Sequence, residues 1–132
     1  MVRIKAKTVL LVSPRMLSDQ AFMVAKSIKH VTDVAHIFPA IYEMKPDLII
    51  FDTDFIGEDI GKIIRRIRAN SFYDRTKICC YKSSFKLSEE SLLRTLGVND
   101  VVNAREIEEQ KSNSFAFAIH SLFNPAMSKL AV

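Results

Sequence analysis

Short apolar runs rich in β-branched residues alternate with segments of helical period along the chain, and this alternation constrains the fold more than any single motif. Five runs have the length and composition of β-strands: TVLLVS (8–13), DVAHIF (33–38), DLIIFD (47–52), KICCY (77–81) and DVVN (100–103). Parallel strands need long crossovers, which are usually helical and right-handed. The sequence therefore predicts one α/β domain, a doubly wound five-stranded parallel sheet with helices on both faces.

Two of these runs, TVLLV and LIIF, lack the polar alternation of a strand with one wet face. Strands that are covered by helices on both faces have this composition. We therefore expect the first and third strands to lie in the middle of the sheet.

The segments between the strands have the apolar spacing of amphipathic helices. Apolar residues recur at helical spacing from Leu17 to Ile28, and PAIYEMK (39–45) predicts a short helix of about two turns. After Asp59, isoleucines at positions 60, 63, 64 and 67 form one apolar face. The basic residues of that segment are Lys62, Arg65, Arg66 and Arg68. We assign them to a solvated face, because no stacking aromatic or known nucleic-acid motif accompanies them.

A last helix is predicted near the end of the chain, before Asn124 and Pro125. Its packing stripe consists of Phe115, Ala118, Ile119, Leu122 and Phe123. Phe117 lies off this stripe and is a candidate for a partner face.

The composition is that of one soluble domain. The chain has 132 residues, 48% of them hydrophobic and 26% charged, with three glycines, four prolines and a net charge of +4. No linker or repeat divides it. Its apolar runs are too short to cross a bilayer, and the N-terminal MVRIKAK lacks the apolar region of a signal peptide. We expect a cytoplasmic protein that makes no membrane contact.

Residue types that carry catalysis or bind metals are scattered. His30, His36 and His120 fall in separate elements without ligand spacing. Cys79 and Cys80 are neighbours on one strand, so we expect reduced thiols in or near the core. The sequence contains no GxGxxG, Walker or GxSxG signature. We therefore expect no enzyme activity and no cofactor.

With these elements placed, the sequence resembles the CheY-like receiver domain of two-component response regulators, over about residues 7–124 of a single domain 1–132. The resemblance rests on KPDLIIFDTDFIGEDIGKIIRRIR (45–68), which looks like the family's third strand and following helix. It rests also on LGVNDVVNA (96–104), which looks like the approach to the fifth strand and the strand itself. It implies the strand order 2-1-3-4-5 and a role in signal transduction.

The resemblance also implies how such a domain meets protein partners. The expected surface is the fourth helix, LSEESLLRTL (87–96), with the fifth strand and the fifth helix. Homodimerisation through the same surface is plausible for a member of this family.

Asp52 matches the phosphoacceptor aspartate that the family carries at the end of its third strand. In open parallel sheets functional groups gather at the carboxyl ends of the strands, and a carboxylate there can act as a nucleophile if a cation offsets the developing charge. Other positions of the family pattern are changed. Where the family has an acidic pair for a divalent metal, Ser13 and Pro14 stand, followed by Arg15. Magnesium prefers charged oxygen ligands, so this change weakens the expected metal site.

The phosphoryl-contacting and switch positions are changed as well. Lys82, followed by Ser83, replaces a threonine or serine at the end of the fourth strand. Ala104 replaces the lysine at the end of the fifth strand, Arg105 the proline after it, and Val101 the aromatic switch residue.

Two basic side chains offer a substitute for the missing cations. The strand order brings Lys82 beside Asp52, where an ammonium group would favour the ionised carboxylate, and Arg15 offers the same from the first strand. We predict an ion pair between Lys82 and Asp52 and no bound metal. Asp54 is expected as a solvent-facing loop acid, although together with Asp52 it would be a ligand if magnesium binds.

Three hypotheses for function follow. The first is a degenerate receiver, or pseudo-receiver, that binds protein partners without phosphorylation. The second is a receiver that accepts a phosphoryl group at Asp52 through an unusual magnesium site. The third is a flavodoxin-like domain with a small ligand at the same strand ends, which is disfavoured because SPRMLSD (13–19) lacks the glycines suited to cradling a phosphate.

Overall fold

A single parallel sheet organises the molecule, for which a computed structural model describes residues 8–14 and 27–103. Its strands are β1 (Thr8–Val12), β2 (Ser27–Val31), β3 (Leu48–Asp52), β4 (Lys77–Lys82) and β5 (Asp100–Asn103). They lie in the order β2-β1-β3-β4-β5, and each neighbouring pair is parallel. The predicted fold class and strand order are confirmed.

The helices of the described residues are α1 (Ile37–Met44), α2 (Thr53–Ile56), α3 (Ile60–Arg68) and α4 (Leu87–Leu96). α1 is the predicted short helix, and its eight residues make about two turns. None of the helices in the described ranges is long and apolar enough to span a membrane. The first and fifth helices predicted from the sequence, and Phe117 with them, lie outside the described residues.

The two central strands are buried on both faces, as their composition predicted. Each residue from Leu48 to Phe51 is 0% exposed, and in β1 the residues from Val9 to Val12 are at most 1% exposed. Alternate residues of the strands pack against the described helices; they are Leu10, Val12, Ile49, Phe51, Ile78 and Cys80. The isoleucine stripe of α3 at positions 60, 63, 64 and 67 is buried in the same cluster. Both cysteines are reduced and buried, as expected.

The predicted position of the second strand was wrong. DVAHIF does not form a strand: Asp33 accepts a hydrogen bond from the Ala35 amide and opens a 3-10 turn that leads directly into α1. The buried residues of that helix are Ile37, Ala40 and Ile41. Their spacing of three and four residues is that of a helix and not of a strand. The strand is SIKHV (27–31), so Ile28 belongs to β2 instead of the first helix.

Arg68 was wrongly assigned to a solvated helix face. From the end of α3 its guanidinium donates hydrogen bonds to the carbonyl oxygens of Tyr73 (2.8 Å), Thr76 (2.8 Å) and Gly97 (3.0 Å) and to Asn99 Oδ1 (2.9 Å). These acceptors lie in the turns before β4 and β5. Burial lowers the pKa of Arg68 from its ordinary value. The side chain therefore joins the end of α3 to the turns before β4 and β5. These turns lie at the amino ends of the strands, whereas Asp52 lies at the carboxyl end of β3.

Candidate functional site

Asp52 lies where the sequence places it, as the last residue of β3, and it has a local structural role. It is the N-cap of α2: its Oδ1 accepts a hydrogen bond of 3.2 Å from the Phe55 amide. An aspartate suits this position because it satisfies an otherwise unpaired amide and opposes the positive end of the helix. The side chain is half-buried. One carboxylate oxygen is therefore already engaged by the backbone.

Ser13 follows β1 and is only 2% exposed, while Pro14 beside it is exposed. The Ser13 amide donates to the Val31 carbonyl at 3.1 Å, and its own carbonyl accepts from His30 Nε2 at 2.7 Å. These two bonds tie the end of β1 to β2. At positions 13 and 14 the structure thus has a buried hydroxyl and a proline, where the receiver family has an acidic pair that binds a metal.

Tyr81 belongs to the site, although sequence reasoning missed it. Its hydroxyl oxygen lies 3.0 Å from Ser13 Oγ and also interacts with the Asp52 carboxylate. Burial, opposed by the Ser13 hydrogen bond and reinforced by the charge of Asp52, raises the pKa of Tyr81 to about 12. The phenol therefore stays protonated at neutral pH. The signal available in the sequence was the strand pairing, since Tyr81 is directly opposite Asp52 on β4.

The prediction of a direct ion pair between Lys82 and Asp52 was wrong. Lys82 Nζ lies 2.8 Å from Glu89 Oε2 in the first turn of α4, and within the described residues no ion pair joins it to Asp52. The reason is the alternation of a strand: Tyr81, opposite Asp52, points to one face and Lys82 to the other. Glu89 lies within reach of Lys82, and the hydrogen bond from Lys82 lowers the pKa of Glu89.

Asp54 was expected to be a solvent-facing loop acid. It is exposed, but it lies in α2 and also binds the loop that follows β4. Its Oδ2 accepts hydrogen bonds of 3.1 Å from both the amide and the hydroxyl of Ser83, which follows β4. The carboxylate thus joins α2 to the loop between β4 and α4. The same loop is held by the Phe85 amide, which donates to Asn103 Oδ1 on β5 at 2.8 Å.

The structure divides the predicted site residues into groups. Ser13 and Asp52 come together through Tyr81, whereas Asp54 and Ser83 form a separate pair and Lys82 binds Glu89. Val101 is buried in β5 at 8% exposure. Arg15 and Ala104 lie outside the described residues, as does Arg105.

The donors of this site do not fit a magnesium ion. Asp52 accepts from the Phe55 amide and lies beside the buried Tyr81 side chain, and one oxygen of Asp54 accepts from Ser83. No cluster of three or more histidine, cysteine or acidic side chains able to hold a metal occurs in the ranges that the structure describes. A hard divalent cation needs several oxygen ligands at once.

The fold is that of the receiver domains of response regulators. A response regulator from Hahella chejuensis has a TM-score of 0.70 and 17% identity, and the match covers 89% of this chain and 92% of that chain. The phosphorylated cyanobacterial phytochrome response regulator RcpA has a TM-score of 0.73 and 16% identity, with 89% and 93% covered. The Mn²⁺-bound response regulator Rcp1 has a TM-score of 0.70 and 16% identity, with 87% and 92% covered. No protein-family model and no curated protein matches the chain.

Proposed function

We propose that this chain is a receiver-like signalling module that binds protein partners without being phosphorylated. The observation that carries the proposal is the surroundings of Asp52, whose carboxylate accepts from the Phe55 amide and lies beside Tyr81, a buried side chain that reaches from β4 to Ser13. Ser13 and Pro14 stand where a metal-binding pair of acids is expected. Phosphoryl transfer to a carboxylate needs a cation to offset the charge that develops on the transferred group. The module therefore acts by binding and not by catalysis, and a cytoplasmic location belongs to the same proposal.

The orientation of α4 supports partner binding that needs no phosphoryl group. The segment from Lys82 to Lys86 is fastened by Glu89, which accepts from Lys82 Nζ and from the Lys86 amide at 3.0 Å. Asp54 and Asn103 hold it from α2 and β5. Contacts from β4, α2 and β5 thus fix the start of α4.

The same helix presents apolar side chains to solvent. Leu87 is 83% exposed and Leu92 is 53% exposed, whereas Leu93 is buried in the core. The two leucines lie about 140° apart around the helix, so each offers a separate apolar contact to a protein partner. We propose α4 and β5 as the partner surface, with a second copy of the chain as one candidate partner.

Incubation with acetyl phosphate and Mg²⁺, followed by intact mass measurement, tests the proposal. We expect the unmodified mass for the protein and for Asp52→Asn. The matched control is Asp54→Asn, which keeps Asp52. A phosphoryl adduct on the protein and on Asp54→Asn that disappears in Asp52→Asn would overturn the proposal and support phosphoacceptance at Asp52.

A further inference from the structure

Three side chains meet above the carboxyl end of β3. Ser13, Asp52 and Tyr81 come from the ends of β1, β3 and β4, which are adjacent in the sheet. Their neighbours Val12, Phe51 and Cys80 belong to the core cluster on the other face. Because side chains alternate along a strand, the three site residues point to one common face.

The Tyr81 side chain spans the end of β3. Neighbouring strands lie about 4.8 Å apart, so β1 and β4 are separated by roughly twice that distance, with β3 between them. Tyr81 starts on β4, yet its hydroxyl lies 3.0 Å from Ser13 Oγ at the end of β1. Its ring must therefore cross over the terminal part of β3, where Asp52 is located. Tyr81 is 8% exposed, and Ser13 is 2% exposed.

We propose that the Tyr81 side chain is the built-in occupant of the Asp52 site, and that it keeps cations and phosphoryl donors away from the carboxylate. This inference rests on the proposed function and names the residue that closes the site. The ring covers the end of β3 beside Asp52, and the hydroxyl is anchored at Ser13. The changed residues after β1 are then only one of two obstacles to metal binding.

A comparison in a Pro14→Asp background tests this role. The added carboxylate supplies one possible metal ligand, and Ser13 remains available to Tyr81. In that background we compare Tyr81, Tyr81→Phe and Tyr81→Val, using Mn²⁺ alone as the probe and water proton relaxation as the readout. Phenylalanine removes the hydroxyl and keeps the ring, whereas valine removes both and suits a strand.

We expect Mn²⁺ to bind at least about tenfold more tightly to Tyr81→Val than to the Pro14→Asp parent, with Tyr81→Phe between them. Adding Asp52→Asn should abolish the gain. Equal affinity for the parent and both Tyr81 variants would overturn the inference. If the valine variant does not fold, as judged by circular dichroism, the phenylalanine variant decides, because release of the hydroxyl alone should tighten binding several-fold.

The two proposals fail in different experiments. Asp52-dependent phosphorylation of the unaltered protein would overturn the proposed function. If the unaltered protein is not phosphorylated and the Mn²⁺ affinity is equal across the Tyr81 series, only the role of Tyr81 is overturned.

Discussion

Arg68 packs directly against Gly97. The Arg68 Nε donates a hydrogen bond of 3.0 Å to the Gly97 carbonyl, and a Cβ placed on Gly97 would lie 2.8 Å from Arg68 Cγ. Gly97 ends α4 with φ +113°, a conformation that other residues rarely adopt. The end of α3 and the end of α4 are thus fitted to each other at one point.

Gly97→Ala should destabilise the protein by about 1 to 3 kcal/mol, because it combines backbone strain with a clash against the Arg68 stem. Urea unfolding measures the change. The matched control is Gly61→Ala inside α3, where the new Cβ would meet only Leu96 Cδ1 at an ordinary 3.7 Å. That control should be neutral or stabilising by up to about 1 kcal/mol. Equal effects of the two substitutions would contradict this account.

Arg68→Met should lower the free energy of unfolding by about 2 to 4 kcal/mol, since it removes four hydrogen bonds and strands partly buried carbonyls. Arg65→Met changes an exposed arginine of the same helix and should stay within about 0.5 kcal/mol of the parent. Thermal or urea unfolding of both variants checks the contrast. If Arg68→Met behaves like Arg65→Met, the network does not stabilise the fold.

The pair formed by Lys82 and Glu89 should make a small, pH-dependent contribution. Their side chains are 25% and 36% exposed, so Lys82→Met should cost less than about 1 kcal/mol at neutral pH. Hydrogen bonding by Lys82 lowers the pKa of Glu89 below its ordinary 4.5. The contribution is therefore present above pH 4.5 and lost as the pH falls through the lower folded-state pKa.

A double-mutant cycle with Lys82→Met and Glu89→Gln, measured by urea unfolding between pH 7 and pH 3, checks this expectation. The coupling energy should shrink toward acid. A coupling that stays constant or grows as the pH falls would be inconsistent with an ion pair.

Leu87→Asp and Leu92→Asp should weaken partner binding without unfolding the protein, because both side chains are exposed on α4. For self-association, sedimentation at tens of micromolar provides the measurement. The control is Phe72→Asp, since Phe72 is 63% exposed but lies in the turn before β4. Only monomer for the unaltered protein, and for Phe117→Glu alike, would count against self-association through this surface.

The sequence was sufficient for the fold class and for four of the five strands, but it misplaced the second strand and did not reveal the contacts of single polar side chains. The unbroken apolar runs of β1 and β3 specify central strands, because both faces of such strands are buried. The isoleucines of α3 specify a packed face, because they recur at helical spacing. Arg68 and Arg65 look alike in a helical pattern, yet only Arg68 meets carbonyl groups from distant turns. The place of Lys82 at the end of β4 was predicted correctly, but its side chain points away from the face of Asp52 and binds Glu89, seven residues away. Tyr81 was overlooked because its role arises from strand pairing across β3.

The adjacent cysteines of β4 offer a way to observe motion in the sheet. Cys80 packs toward the described helices and Cys79 points to the opposite face, and both are buried. Burial raises the pKa of both thiols, that of Cys80 to about 12, so neither reacts readily while the fold is closed. Labelling by a thiol reagent therefore reports opening events. Unequal labelling rates at the two positions would reveal which face of the sheet opens first, without any introduced cysteine.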